Sequence, residues 1–243
     1  MTLNDRQDAF GNALIDAYQG NLNHDLVLEV DDGRTFPAMS PDWFLLSPDE
    51  WHPWEREQLK QLAGPVLDLG TGAGRAALFL QTQGVAVTAL DYSPGAIEVC
   101  RRRGVHDARL HDFLVDLPTD QRWRAILLLC GNFGLAGGWD ETKQFLRNLR
   151  GVCEEGAILI GDTVDPTLDT DEATRVYQQH QLEAGGYVGD VGLRLKYGKT
   201  TGAFWRQSNF RVEDIASLVK ATGWNLVDHH VGGMDHYVRL EAI

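Results

Sequence analysis

A segment with three closely spaced glycines contains the residue types in this chain best suited to hold a ligand. The apolar run 65–69 includes Asp68 and leads into residues 70–75, which read Gly-Thr-Gly-Ala-Gly-Arg. Glycine permits positive φ angles and lets the backbone approach a ligand closely. A helix that starts after such a turn directs its free N–H groups and its positive dipole end toward the turn. The pattern therefore predicts a strand, a tight turn and a helix around a ligand with an anionic end.

The glycine spacing distinguishes between several kinds of nucleotide site. A dinucleotide site has the pattern G-x-G-x-x-G, but here the third glycine comes one position early and Arg75 takes its place. A phosphate-binding P-loop would end in Gly-Lys-Ser/Thr, which the segment lacks. Asp68 suits a ligand with a positive group beside its carboxylate, and S-adenosylmethionine has both an ammonium and a sulfonium. The run D-x-G-x-G-x-G that begins at Asp68 resembles the first motif of class I S-adenosylmethionine-dependent methyltransferases. This resemblance implies cofactor contacts from Asp68, Gly70, Thr71, Gly72 and Gly74.

Acidic residues after the next two strand-like runs extend the resemblance. Asp91 ends the run 85–90, about 20 positions past the glycines, where a ribose diol is held in such sites. A carboxylate can accept from both hydroxyls, whereas the alternative role, a helix cap, fits Ser93 better. In the family the position of Asp112 contacts adenine. The neighbouring aromatic residues Tyr92 and Phe113 complete this part of the predicted cofactor site.

A fourth apolar run, 125–130, leads into the segment Gly-Asn-Phe-Gly at 131–134. In the family this is the position of the fourth motif, which lies under the transferred methyl group. Cys130 is therefore the last predicted cofactor contact. The predicted cofactor is S-adenosylmethionine, because four elements follow in the family's order between about residues 66 and 134.

Strand-like and helical segments alternate through the centre of the chain, which is typical of a parallel sheet with helices on both faces. We expect an α/β fold: a doubly wound, mostly parallel, Rossmann-like sheet of seven strands with the last strand antiparallel. Residues 1–60 are predicted to form a cap segment, and residues 61–243 the methyltransferase domain. The stretch 165–210 interrupts the alternation and predicts a two-stranded antiparallel cap insertion.

Composition restricts the partners. The net charge is −13, from 22 basic and 35 acidic residues. An acidic surface repels phosphate backbones and anionic membranes, so a small-molecule substrate is favoured over nucleic acid or membrane. The one dense basic run, 101–103, precedes Gly104 and suits the end of a helix. Three scattered cysteines without metal-ligand spacing indicate free thiols and no metal site, and with no signal segment they predict a cytoplasmic protein.

Methyl transfer from a sulfonium is an in-line displacement, so alignment supplies most of the catalysis. A base is needed only when the nucleophile carries a proton at neutral pH. The candidate catalytic residues are His52, His236 and Asn132, although each histidine also suits a structural role and Asn132 suits stabilisation of a glycine-rich turn. Trp205 and Tyr197 suit an apolar substrate pocket and ordinary packing equally well.

Three functions fit these patterns to different degrees. The first is methyl transfer to an oxygen or nitrogen of a small organic substrate. The second is a fold relative that binds S-adenosylmethionine or S-adenosylhomocysteine for regulation or scaffolding, without catalysis. The third, a nicotinamide dehydrogenase, is disfavoured by the shortened glycine spacing and by the final antiparallel strand.

Overall fold

The computed structural model describes residues 8–21, 26–233 and 235–243, and within these ranges the strands form two sheets. The strands are β1 (Val27–Val30), β2 (Thr35–Pro37), β3 (Val66–Leu69), β4 (Val87–Asp91), β5 (Ala108–Leu110), β6 (Trp123–Leu128), β7 (Cys153–Val164), β8 (Asp190–Tyr197), β9 (Thr200–Thr201), β10 (Trp205–Ser208), β11 (Trp224–Gly232) and β12 (Asp235–Ala242). The helices are α1 (Ala9–Tyr18), α2 (Pro53–Lys60), α3 (Arg75–Thr82), α4 (Pro94–Arg103), α5 (Trp139–Val152), α6 (Glu172–Glu183) and α7 (Val212–Val219). Short 3₁₀ helices span Pro41–Leu45, Pro48–Glu50 and Asn132–Gly134.

The larger sheet confirms the predicted architecture. Its seven strands are hydrogen-bonded in the order β11-β12-β7-β6-β3-β4-β5. Strands β3, β4 and β5 run parallel, and so do β6 and β7. Strand β12 is antiparallel to both of its neighbours, β7 and β11. The sheet is therefore mostly parallel and ends in an antiparallel hairpin.

Local sequence accounts for the helix that follows β4. Ser93 is the N-cap residue of α4, and its side chain accepts a hydrogen bond of 3.0 Å from the N–H of Ala96. Pro94 occupies the first helical position, and Gly104 ends the helix in the left-handed conformation. Among the described residues, no helix is both long enough and apolar enough to cross a membrane.

The chain divides into two compact units. The first unit runs to Asp116 and also contains Leu193–Phe204, whereas the second contains Leu117–Gly192 and Trp205–Ile243. The division into a cap at 1–60 and a domain at 61–243 with an insertion at 165–210 stays a prediction.

The antiparallel part of the first unit differs from the prediction. Strand β8 pairs with β1, with Glu29 opposite Arg194. Strand β1 in turn pairs with β2, and β8 with the short β9. The smaller sheet has five strands instead of the predicted two, because β1 and β2 from the N-terminal region join it and the short β9 is a further strand. Alternation in a sequence indicates a strand, but it does not indicate a partner more than 160 residues away.

Candidate active site

The glycine segment of the first unit forms the predicted turn between β3 and α3. Gly70, Gly72 and Gly74 have φ angles of 73°, 56° and 75°, which L-residues with a side chain rarely adopt. A Cβ on Gly74 would lie 2.6 Å from a methyl group of Val105, so the third glycine is also required by packing. The turn thus places the N-terminus of α3 beside the end of β3.

Asp91 lies at the end of the neighbouring strand β4 and is 4% exposed. Its Oδ2 accepts a hydrogen bond of 2.9 Å from the N–H of Gly72, and its Oδ1 accepts one of 2.9 Å from the N–H of Ser93. Burial outweighs these two bonds and raises the pKa of Asp91 to about 7. Each oxygen keeps a second lone pair, so the carboxylate can still accept from hydroxyl donors such as a ribose diol.

Asp68 is a second buried carboxyl group, 3% exposed, in β3. Its Oδ2 accepts a hydrogen bond of 2.6 Å from the hydroxyl of Thr71. Burial is again the largest influence and raises the pKa of Asp68 to about 6. Two desolvated carboxyl groups beside one glycine turn fit a ligand that brings hydroxyls and a positive charge, which is the donor set of S-adenosylmethionine.

Two aromatic side chains from the N-terminal region cover this turn. A Cβ on Gly72 would lie 3.1 Å from a ring carbon of Phe44 and 3.7 Å from one of Phe10. The two rings meet edge to face, with their centroids 5.1 Å apart. Neither residue lies in a motif that would mark it as part of the site, because both are distant in the chain from the glycine turn.

Hydrogen bonds to the side chain of Asp8 connect α1 to the start of α4. Its carboxylate accepts hydrogen bonds from the hydroxyl of Ser93 at 2.8 and 2.9 Å and from the N–H of Gly95 at 2.9 Å. It also accepts the N–H of Gly11, as the N-cap of its own helix. The helices cross closely at glycines, because a Cβ on Gly95 would lie 2.5 Å from the backbone of Gly11. No sequence motif indicates this contact, because Asp8 and the start of α4 are more than 80 residues apart.

Arg75 takes the position of the third glycine of a dinucleotide site. Its side chain contacts two indole rings and a carboxylate from the N-terminal region. Its guanidinium lies 4.1 Å from the ring centre of Trp43 and 4.7 Å from that of Trp51. It also forms an ion pair of 2.8 Å with Glu55, and both charged side chains are buried. Stacking on two indoles favours arginine over lysine at this position. Arg75 therefore ties the segment 43–55 to the first turn of α3.

The predicted adenine end follows β5. Asp112 is half-buried and its Oδ1 accepts a hydrogen bond of 3.3 Å from the N–H of Leu114. Phe113 is buried, Tyr92 is half-buried, and the ring of His111 contacts the carbonyl of Asp116 at 2.9 Å. The parallel pairing of β4 with β5 places these residues at the same end of the sheet as Asp91. Their contacts with adenine stay a prediction.

In the second unit, the loop after β6 is held from two sides. Cys130 and Gly131 both have left-handed φ angles, 64° and 80°. The carboxylate of Asp162 in β7 accepts the N–H of Cys130 at 2.8 Å and also the N–H of Gly131. The side-chain amide of Gln207 in β10 donates to the carbonyl of Gly131 at 3.2 Å. Sequence reasoning missed Asp162 and Gln207, because neither lies in a recognisable motif.

The candidate catalytic residues have distinct surroundings. In the first unit, His52 is the N-cap of α2, and its Nδ1 accepts a hydrogen bond of 3.2 Å from the N–H of Trp54. In the second unit, Asn132 begins a 3₁₀ turn and its carbonyl accepts the N–H of Leu135. His236 is 3% exposed in β12, with Nε2 3.7 Å from Oδ2 of Asp165.

Tyr197 and Trp205, which suited a substrate pocket and ordinary packing equally well, have different surroundings. Tyr197 is buried against Ala9, Ala13 and Leu26, and its hydroxyl donates to Asp16 at 2.7 Å. This places Tyr197 in the packing between α1 and β8. Trp205, in the second unit, is half-buried and its indole N–H donates to Gln207 at 3.3 Å.

Comparisons with known proteins agree with this arrangement. Residues 66–156 match the model of a family described as a methyltransferase domain. A S-adenosylmethionine-dependent methyltransferase from Bacteroides fragilis, solved with S-adenosyl-L-homocysteine, is 24% identical with a TM-score of 0.80, over 97% of this chain and 95% of that one. The CcbJ methyltransferase from Streptomyces caelestis is 17% identical with a TM-score of 0.60, over 82% and 99%. A methyltransferase from Methanosarcina mazei is 14% identical with a TM-score of 0.62, over 82% and 99%. Curated protein sequences gave no match.

The structural likenesses concern the fold, and the family match concerns the segment that contains the glycine turn and Asp91. The matched segment also includes the loop at Cys130 and ends within β7. The resemblance inferred from the motifs and the cofactor predicted from it are therefore confirmed. Residues 66–156 therefore form a methyltransferase domain, and the chain around them has the fold of S-adenosylmethionine-dependent methyltransferases.

Proposed function

We propose that the protein transfers the methyl group of S-adenosylmethionine to an oxygen or nitrogen atom of a small organic molecule. The observation that most favours a small substrate concerns the dense basic run 101–103. Arg101 donates to the carbonyl of Ala108, and Arg102 pairs with Glu98. The guanidinium of the third arginine donates at 2.6 Å to a carbonyl of the glycine turn. Arg103 is thus engaged within the first unit, and of the two exposed arginines that remain, Arg102 is already paired with Glu98. A chain with a net charge of −13 and so small a basic patch is not suited to a phosphate backbone.

The roles proposed for the cofactor site follow from its donors and acceptors. Asp91 accepts from the ribose hydroxyls, while Asp68 and Thr71 face the charged amino-acid end. Gly70, Gly72 and Gly74 allow close backbone approach, as their φ angles permit. The adenine is proposed to lie at Tyr92, Asp112 and Phe113. When bound, the cofactor supplies a methyl group activated by a positively charged sulfur.

The acceptor side is proposed to lie at the loop that begins at Cys130. Asp162 and Gln207 fix this backbone, which favours the alignment that in-line displacement needs. Of the three candidate catalytic residues, His52 uses a ring nitrogen as a helix cap, and Asn132 starts a turn. His236 is the candidate that these surroundings favour. We place the reaction in the cytoplasm, the compartment predicted from the free cysteines.

The test has a binding part and a turnover part. Titration calorimetry should show binding of S-adenosylmethionine and S-adenosylhomocysteine by the parent and by Asp140→Asn, a control at an exposed position on α5. Asp68→Asn should bind more weakly. Formation of S-adenosylhomocysteine is then followed with sets of small alcohols, phenols and amines, and separately with tRNA and duplex DNA.

Turnover with at least one small acceptor and none with the nucleic acids supports the proposal. Binding without turnover for any acceptor would favour the regulatory or scaffold alternative. Turnover with a nucleic acid alone would contradict the proposed substrate class.

A further inference from the structure

A buried histidine with unpaired ring nitrogens lies at one end of β12. The side chain of His236 is 3% exposed, and neither ring nitrogen has a hydrogen-bond partner among the described residues. Most buried polar atoms in folded proteins are hydrogen-bonded, and an unsatisfied one destabilises the fold. Packing alone does not explain an imidazole at this position.

A carboxylate faces this imidazole and is itself held in place. Oδ2 of Asp165 lies 3.7 Å from Nε2 of His236, which is an ion-pair distance but too long for a hydrogen bond. The other oxygen, Oδ1, accepts the N–H of Thr167 at 2.8 Å and its hydroxyl at 2.6 Å. Thr167 thus orients Asp165 so that Oδ2 is directed at the ring. Such a contact strengthens when the imidazole gains a proton.

The position of the pair in the second unit agrees with a role in the reaction. Asp165 directly follows the carboxyl end of β7, and His236 is paired in register with Thr163 on that strand. In doubly wound sheets, ligands bind at the carboxyl ends of the parallel strands. One residue earlier on β7, Asp162 holds the loop at Cys130. The histidine and the loop proposed for the acceptor side therefore belong to the same end of β6 and β7.

We propose that His236 accepts the proton of the methyl-acceptor atom and that Asp165 is its positioning residue. The inference rests on the proposed function. The carboxylate favours the tautomer with the proton on Nε2, which leaves the lone pair on Nδ1. As the acceptor atom forms its bond to the methyl carbon, the carbon–sulfur bond breaks and its electron pair goes to sulfur. The proton of the acceptor moves to Nδ1, and Asp165 stabilises the imidazolium until solvent takes the proton.

Turnover tests the catalytic part with the acceptor found in the turnover assay above. His236→Gln should lower kcat about 100-fold or more at saturating acceptor, while the dissociation constant of S-adenosylhomocysteine stays within about threefold. Asp165→Asn should lower kcat to a smaller extent with little change in KM. The decrease of kcat in His236→Gln should be smaller for an acceptor that is already ionised at the assay pH, because such an acceptor has no proton to lose. A merely structural role would not produce this difference. His229→Gln, on the exposed neighbouring strand, is the matched control.

Melting temperature tests the same residue independently of any acceptor. His236→Phe keeps a ring of similar shape and removes the unpaired nitrogens, so its melting temperature should equal that of the parent or rise by about 2–4 °C. A fall of several degrees would show that the imidazole stabilises the fold and would overturn the inference. Turnover of His236→Gln at the parental rate would also overturn it. If the proposed function itself is wrong, the parent will methylate no acceptor, which is a different result from the two above. The inference would then be wrong as well.

Discussion

Lowering the pH from 7.0 to 6.0 should weaken cofactor binding, because the site relies on a carboxylate that is partly protonated in this range. Burial raises the pKa of Asp91 to about 7 and that of Asp68 to about 6. Hydroxyl and ammonium donors need the ionised carboxylates, since a protonated acid is neutral and presents a donor of its own. Affinity should therefore rise with pH through this window, as the competent fraction of the protein increases.

The magnitude follows from the ionised fractions. For a pKa of about 7, Asp91 is ionised in roughly 9% of molecules at pH 6.0 and roughly 50% at pH 7.0, a change of about fivefold. For a pKa of about 6, Asp68 adds a factor of about two. Together they predict a dissociation constant about tenfold higher at pH 6.0, equivalent to about 1.4 kcal/mol. An amino group with a pKa near 8 stays mostly protonated over this range, so the ligand contributes little.

The assay is titration calorimetry with S-adenosylhomocysteine at pH 6.0, 6.5 and 7.0, in two buffers with different ionisation enthalpies. Near pH 6.5 the two carboxyl groups should together release about one proton for each cofactor bound. Asp91→Asn should lose most of the pH dependence, whereas Asp140→Asn should retain it. Proton uptake on binding, or equal affinity at pH 6.0 and 7.0, would refute the assignment of these carboxylates to the cofactor.

Three further outcomes can be measured on the same protein. Asp91→Ala should weaken cofactor binding by about 1.5–3 kcal/mol in calorimetry. Gly72→Val should weaken it more, because its Cβ would meet an aromatic ring at 3.1 Å. Parental affinity in either variant would contradict the assignment of these residues to the cofactor site. Relative to Asp91→Asn, the free parent should lose about 3 kcal/mol of stability between pH 4 and 7, since a folded-state pKa raised above the unfolded value stabilises only at low pH; the same change in melting temperature in both proteins would contradict it. Gly95→Val should lower the melting temperature by several degrees through its clash with Gly11, whereas Gly151→Ala, where a Cβ meets nothing within 4 Å, should not.

The cofactor half of the fold could be predicted because its signals are local. Parallel strands buried on both faces appear in the sequence as continuous apolar runs, and β3 and β4 are buried at every position. The glycines at 70, 72 and 74 have left-handed backbones that other residues rarely adopt. Asp91 followed from its distance to this turn. Each of these inferences needs only a window of about 30 residues.

The remaining features depend on partners that are distant in the chain. Asp8 accepts hydrogen bonds from residues more than 80 positions away, and Arg75 stacks on indoles that belong to an earlier segment. Strand β7 extends from Cys153 to Val164, well beyond the apolar run at 157–160 that marks it in the sequence. Its first residues after Cys153 are exposed and polar, and its last ones include the buried polar Asp162 and Thr163. Apolar periodicity shows neither extension, because sheet pairing and not side-chain polarity holds these ends.

Buried polar side chains separate structural from functional positions in this protein. Asp162 is buried and accepts hydrogen bonds from two backbone N–H groups. These bonds hold the loop at Cys130, so its role is structural. Asp91 also accepts two N–H groups, yet desolvation still raises its pKa to about 7, so the free protein retains a carboxyl group at a cost in stability. The two ring nitrogens of His236 have no hydrogen-bond partner among the described residues. Stability alone does not account for Asp91 and His236 in a folded core, whereas the ligand and the proton that we propose for them do.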